Sequence, residues 1–264
     1  MRFLLRVGFV YFLFQMVPFS ASLLPFVQVV MRPYEAFWEA AAVRVGRQVF
    51  GVTVDLVQNG SGDKTYFYVW AFCNLVVAVL LGLLWTILDR KRSRDPQIAE
   101  WFRVYLRLSL ALAMIYYGAI KLIPTQFGGT IGLERLVQPF GSASPMGLLW
   151  TFLAASPAYT AFTGAVEMLG GLLLIPRRTT LLGALVSAAA TLQVVVLNFC
   201  YDVPVKLFSV HLLVMALLLA APDLRRLAGL FLFNRRVESA EIRPVFARRR
   251  FNRVAAAVWG ISLT

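Results

Sequence analysis

Long apolar runs alternate with short polar connections along most of the chain. Six runs reach or approach the ~20 apolar residues that a helix needs to cross the hydrocarbon core of a membrane. They cover residues 3–30, 66–88, 101–123, 158–175, 179–198 and 204–221. Because lipid offers backbone groups no hydrogen-bond partner, each run is predicted to be helical. The predicted fold class is all-α, a polytopic bundle of about six transmembrane helices.

Two of the connections are too long and too apolar to be simple loops. The segment 31–65 is predicted to contain an amphipathic helix lying in the membrane interface. Its apolar face is predicted from residues at helical spacing, namely Phe37, Ala41 and Val45, beside Trp38. The segment 124–157 is predicted to contain a short helix on the outer surface. The first run, 3–30, is too long for a signal peptide, so we expect it to be a retained span.

The pattern divides the chain into three parts. Residues 1–100 hold two spans and a basic connection, 89–100. Residues 101–223 hold four spans, and residues 224–264 form a basic tail. The apolar run 254–264 is too short to cross a membrane, so it is either the start of a further span or an interfacial segment.

Composition agrees with this membrane assignment. The 264 residues are 59% hydrophobic and 15% charged, whereas soluble domains are roughly 45–50% apolar and about 25% charged. The formal net charge is +13, which alone would fit either nucleic-acid binding or basic cytoplasmic loops.

The positions of the cations favour cytoplasmic loops. Six crossings put the densest basic residues on one side: Arg2, Arg6, the stretch 89–95, Arg177, Arg178 and the arginines after residue 224. The other side receives fewer: Arg32, Arg44, Arg47, Lys64, Arg135 and Lys206. The positive-inside rule therefore predicts a cytoplasmic N-terminus. The expected location is the bacterial inner membrane. No nucleic-acid partner is expected, and the tail either marks topology or also contacts anionic lipid.

Several polar side chains lie within the spans, all in the predicted outer half of the bilayer. They are Asn74, Tyr117, Lys121, Glu167, Gln193 and His211. Ionisable residues inside spans are costly and are functional candidates by default. These residues predict a ligand-binding pocket that opens outward. No residue is assigned as catalytic.

Each charged member of this group also has a purely structural interpretation. Lys121 either points down towards Glu167 or extends to the interface, as long basic side chains often do. Glu167 is an interior carboxyl that either binds a ligand or only holds neighbouring helices together. His211 is either a functional residue or a hydrogen-bonded residue of the core. Small and polar residues at helical spacing predict an inward face around Glu167. They are Thr160, Gly164, Glu167 and Gly171.

A second polar group occupies the junction between the last two runs. It comprises Asn198, Tyr201, Asp202 and Lys206. Lys206 lies in the first turn of the last predicted span, where the helix dipole disfavours a cation. Its compensating group is predicted to be Asp202, a lipid phosphate or a bound anion.

The two cysteines, Cys73 and Cys200, form no CxxC motif and no metal-ligand spacing. No metal site is predicted. Both thiols fall in the predicted outer half of the bilayer, so a disulfide between them stays open at this stage.

Three short motifs resemble the DoxX-like family of small membrane proteins. They are GAIKLIP at 118–124, EMLGGLLLIPRRTTLLG at 167–183 and APDLRR at 221–226. The resemblance covers residues 101–223 and implies a four-helix core. It also implies an association with redox or stress-response complexes, since the family is named after a subunit of a quinol oxidase or thiosulfate:quinone oxidoreductase. By resemblance, Lys121, Glu167 and His211 fall on the family's polar positions.

The resulting hypothesis is an accessory component of a redox membrane complex with no catalytic activity of its own. Its expected partners are membrane lipids and other membrane protein subunits. We expect no intrinsic cofactor, and a quinone is the small molecule that the pocket would bind. The first alternative is a non-catalytic structural subunit of a respiratory or photosynthetic assembly. The second is a transporter or lipid-handling protein, although no inverted repeat is evident.

Overall fold

The computed structural model describes residues 2–23, 26–57, 60–89, 95–127 and 131–238. These residues are helical or irregular, with no β-strand among them. The α-helices are α1 (Arg2–Ser22), α2 (Val27–Val45), α3 (Thr65–Leu88), α4 (Asp95–Leu122), α5 (Leu133–Val137), α6 (Pro145–Ala155), α7 (Pro157–Leu174), α8 (Thr180–Cys200), α9 (Lys206–Ala220) and α10 (Leu224–Phe231). The predicted all-α class is confirmed for this part of the chain.

Four segments are both long and apolar enough to cross a membrane. They are α1, α3, α8 and the stretch Lys206–Phe231, which joins α9 to α10 through one 3-10 turn. The other two predicted spans also form helices, α4 and α7. Neither is among the four helices that meet both criteria, so their crossing of the membrane stays a prediction.

The first predicted span is shorter than the apolar run suggested. Instead of one helix over 3–30, α1 ends at Ser22 and α2 begins at Val27. Phe26, which precedes α2, has a left-handed backbone with φ of 69°. A continuous right-handed helix cannot contain that conformation, so the apolar run is divided between two helices.

The second helix was predicted within 31–65, but its buried face is shifted by one residue. Trp38 and Ala42 are buried, whereas Phe37 is 63% exposed. Tyr34 lies one turn before Trp38, and its hydroxyl donates a hydrogen bond to the Phe14 carbonyl oxygen at 2.9 Å. Burial raises the pKa of the Tyr34 phenol to about 12, so it stays a donor at neutral pH.

The chain divides into two compact units. The first contains Met1–Ser109 with Pro204–Phe208, and the second contains Leu110–Val203 with the residues from Ser209 onward. The division falls inside the continuous helix α4, whereas the sequence pattern suggested a boundary at residue 100.

In the first unit, α1 packs along α3. Gly82 makes this approach close, since a Cβ there would lie 2.7 Å from the Val7 side chain. In the second unit, α7 packs along α8 in the same way. A Cβ at Gly183 would lie 2.7 Å from the Leu174 backbone nitrogen. Small residues therefore set the helix spacing in both units.

Several segments of the sequence analysis lie outside the described residues. They are the central part of the basic connection, 90–94, the tail from 239 onward and the apolar run 254–264.

Candidate functional site

A buried ion pair joins α4 and α7 in the second unit. The Lys121 ammonium donates to the Glu167 carboxylate, and the two side chains are only 11% and 7% exposed. The second carboxylate oxygen, Oε2, is buried and has no hydrogen-bond partner among the described residues. Lys121 therefore points towards Glu167 and not towards the membrane interface, which was the other interpretation.

Glycines bring the two helices into contact beside this pair. A Cβ at Gly118 of α4 would lie 2.6 Å from the Gly164 carbonyl oxygen, and a Cβ at Gly164 would lie 2.7 Å from the Lys121 Cβ. Farther along, a Cβ at Gly171 would lie 2.9 Å from the Ala111 carbonyl oxygen. The predicted inward face of α7 is confirmed, because its members are buried: Thr160, Gly164, Glu167 and Gly171.

A cavity of about 160 Å³ lies next to the ion pair. Its walls come from α4, α6, α7 and the chain after α4, and they are largely apolar. Among the described lining residues, Lys121 is the charged one, and Phe127 supplies an aromatic face. Thr160 also lines the cavity, but its hydroxyl donates to the Leu153 carbonyl oxygen at 2.7 Å. Of the lining side chains that the structure describes, Lys121 therefore offers hydrogen-bond donors for a ligand carbonyl or anion.

The other predicted site residues are placed differently. His211 is buried in α9, Tyr117 is half-buried in α4, and Gln193 is exposed on α8. None of the three is among the described residues that line the 160 Å³ cavity. Asn74 belongs to the first unit, where its amide donates to Gln15 Oε1 at 2.9 Å.

Lys206 has a carboxylate partner that the sequence analysis did not foresee. Asp63 Oδ2 lies 3.8 Å from Lys206 Nζ. The same carboxylate accepts from the backbone N–H of Lys206 at 2.8 Å and of Leu207 at 3.0 Å. Asp63 is thus the N-terminal cap of α9, and it supplies negative charge where the helix dipole favours an anion.

A close backbone contact holds this cap in place. The Gly62 N–H donates to the Pro204 carbonyl oxygen at 2.7 Å. A Cβ at Gly62 would lie 3.2 Å from the Val205 side chain, so a glycine suits this approach. Pro204 itself precedes α9, which begins at Lys206.

The remaining junction residues belong to the second unit. Asn198 is buried, and its amide donates to the Ser209 hydroxyl at 3.1 Å. Tyr201 is 37% exposed. Asp202 is exposed and has a left-handed backbone with φ of 51°, where α8 has ended. Asn198 thus links α8 to α9 through this hydrogen bond, and none of Asn198, Tyr201 and Asp202 is among the described residues that line the cavity beside Lys121.

Two buried arginines were missed as interior residues. Arg6 is 1% exposed, and its guanidinium contacts the Trp85 carbonyl oxygen at 3.0 Å and the Asp89 carboxylate at 3.2 Å. It also lies over the Trp85 ring at 5.3 Å. Arg107 of α4 is 3% exposed. The sequence could have indicated their burial, because both arginines lie inside predicted spans. Arg6 was considered only as a cation that marks the cytoplasmic side.

Both cysteines are free thiols, Cys73 buried and Cys200 exposed. Among the described residues, no group of three His, Cys, Asp or Glu side chains is arranged to hold a metal ion.

Comparisons with known proteins place the chain in a family. No family model matches the sequence, and no solved structure matches it. The chain is 33% identical over 144 residues to the "Uncharacterized protein YwoB" of Bacillus subtilis (strain 168). The match covers 54% of this chain and 87% of the Bacillus protein. At that identity and coverage, this chain belongs to the same family as the Bacillus subtilis protein.

Proposed function

We propose that this chain is a DoxX-like integral protein of the bacterial cytoplasmic membrane, crossing it six times with the N-terminus inside. Four helices with the required length and hydropathy support the proposal. The other two crossings would be α4 and α7, whose buried Arg107 and Glu167 face protein instead of lipid. The basic connections on one side set the orientation.

The proposed role is that of an accessory component of a redox membrane complex, which binds a quinone. The observation that carries it is the Lys121–Glu167 pair beside the cavity of about 160 Å³. The Lys121 ammonium would donate a hydrogen bond to a quinone carbonyl oxygen. Reduction of a quinone to a quinol takes up two protons together with two electrons, and Glu167, with Oε2 lacking a partner among the described residues, would relay those protons from water to the two quinone oxygens. The electrons would come from a redox centre of a partner subunit.

The size of the cavity restricts the part of a quinone that fits. Ligand pockets usually enclose about 300–1,000 Å³, whereas an apolar cavity of ~150 Å³ is large enough for benzene. The cavity here, about 160 Å³, therefore suits a single ring. In this proposal the ring enters beside Lys121, and the isoprenoid tail remains in the lipid.

The test is the quinone content of the protein purified in mild detergent, measured by extraction and mass spectrometry. We expect near-stoichiometric quinone in the wild type and at least a tenfold loss in Glu167→Gln and Lys121→Met. Glu134→Gln is the control, because Glu134 is exposed and lies outside the cavity. A gel-filtration profile identical to the wild type identifies folded variants. Quinone-free wild type, or unchanged quinone in folded variants, would contradict the proposal.

A structural subunit is the second candidate, and an exposed apolar face favours it. Leu80, Leu84 and Ile87 of α3 follow helical spacing and are 59%, 52% and 57% exposed. Such a face suits lipid or a neighbouring membrane helix. Mass spectrometry of complexes isolated in mild detergent would distinguish the two candidates. Stable partner subunits without quinone would favour the structural role, and a partner-free monomer would count against it.

A further inference from the structure

The second unit contains another pocket, about three times larger in volume than the cavity beside Lys121. It encloses about 490 Å³, within the usual range of ligand pockets. Its walls are formed by α5, α6, the chain between them and the C-terminal end of α8. The lining is mostly apolar and includes Phe140, Phe152 and Leu197. Its polar side chains are Arg135, Gln138, Thr151 and Tyr201.

Arg135 brings a positive charge to this pocket that is not neutralised by any described carboxylate. Its guanidinium donates to the neutral Gln138 amide oxygen. Glu134 precedes it in the chain, but neither residue has an ion-pair partner among the described residues. Thr151 already donates to the Gly147 carbonyl oxygen at 2.8 Å. The remaining polar groups available to a ligand are therefore the Arg135 guanidinium and the Tyr201 hydroxyl.

The guanidinium is held in position by backbone packing. A Cβ added at Gly147 would lie 2.7 Å from Arg135 Nη1, so the absence of a side chain there lets the guanidinium lie against the first turn of α6. The guanidinium therefore presents its positive charge at one wall of the pocket, which an anion would compensate.

We propose that this pocket binds the head group of an anionic phospholipid. The phosphate would pair with Arg135 and accept a hydrogen bond from Tyr201. The acyl chains would begin on Phe152 and Leu197 and continue into the bilayer, because the pocket volume holds only part of a lipid. The proposal goes beyond the quinone site, which uses different residues in a different cavity.

The test is native mass spectrometry of the full chain in detergent, titrated with phosphatidylglycerol or with phosphatidylcholine of the same acyl chains. We expect one phosphatidylglycerol to bind more tightly than phosphatidylcholine. Arg135→Gln should weaken phosphatidylglycerol binding by about tenfold or more, since it removes the charge-assisted hydrogen bond to the phosphate. Tyr201→Phe should weaken it less.

Arg32→Gln is the matched control, because it removes the same charge from an exposed arginine elsewhere. Arg135 is also exposed, so its replacement should leave the melting temperature unchanged. Equal affinity for the two lipids would overturn the proposal, and so would equal losses in Arg135→Gln and Arg32→Gln. Inorganic phosphate that displaces phosphatidylglycerol at equal concentration would also overturn it, since the acyl chains would then contribute nothing.

Discussion

The Lys121–Glu167 pair buries two opposite charges, and each one compensates the desolvation cost of the other. Removing a charge from water is costly, and in a low-dielectric interior the attraction of the partner must offset that cost. Removing either charge would therefore leave the other buried without a partner. The unpartnered Oε2 of Glu167 leaves one acceptor position that the described part of the protein does not fill.

The two residues should be energetically coupled. Lys121→Met leaves the Glu167 carboxylate buried without its counter-charge, so we expect the free energy of unfolding to fall by about 3–5 kcal/mol. The double variant Lys121→Met/Glu167→Leu retains neither charge and should be less destabilised than Lys121→Met alone. Thermal and denaturant unfolding in detergent would measure both. Arg32→Met serves as the control for loss of an exposed cation, and a double variant at least as destabilised as Lys121→Met would disprove the coupling.

Between helices, backbone contact is the main feature of the α4–α7 packing. Gly118 and Gly164 each approach the carbonyl oxygen of the other at a distance that excludes a Cβ. This contact keeps Lys121 within reach of Glu167, since both lie within one turn of the glycines.

Enlarging one glycine should therefore disturb both packing and the ion pair. Gly118→Ala places a methyl group against the α7 backbone, and we expect a loss of about 1–3 kcal/mol in unfolding free energy. Gly132→Ala is the matched control, because a Cβ there meets no described atom within 4 Å. Guanidinium or urea unfolding of the two variants provides the measurement. A Gly118→Ala protein as stable as Gly132→Ala would show that the helices separate easily.

Local hydropathy predicted helices well where the run was uniformly apolar. The runs 66–88 and 179–198 correspond to α3, Thr65–Leu88, and α8, Thr180–Cys200. The run 3–30 is also long and largely apolar, yet Phe26 adopts a left-handed conformation that composition does not encode. The predicted face of α2 was wrong for a related reason. Trp38 is buried because it packs against residues of α3, which are distant in the sequence.

The candidate site was partly predictable for the same physical reason. The inward face of α7 follows from helical spacing within one segment, so Glu167 was found from the sequence. Asp63 was not, because the cap it provides for α9 depends on a contact between residues 143 positions apart. Arg6 was present in the sequence, but its pairing with Asp89 is again a long-range contact.

Across the molecule, the proposed topology fixes which end of each helix faces outward. Under that topology α8 starts at the cytoplasmic side and ends at the outer side with Cys200, its last residue. The chain's other thiol, Cys73, is buried in α3. The two native cysteines thus provide a direct test of orientation.

A membrane-impermeant maleimide added to intact spheroplasts should label Cys200. We expect Cys73→Ser to be labelled as strongly as the wild type, whereas Cys200→Ser should lose nearly all labelling, because a buried thiol is inaccessible to the reagent. Mass spectrometry of the purified protein gives the labelled fraction. Labelling of Cys200 that occurs only after the membrane is permeabilised would reverse the proposed orientation.

The Asp63 carboxylate that caps α9 also constrains the order in which the protein can fold. Asp63 is synthesised well before Lys206 and Leu207, so the start of that helix stays uncapped until the early segment and the late one meet. A chain divided between separately expressed halves would have to restore this junction by reassociation. The N-terminal part thereby provides the capping hydrogen bonds for a helix much later in the sequence.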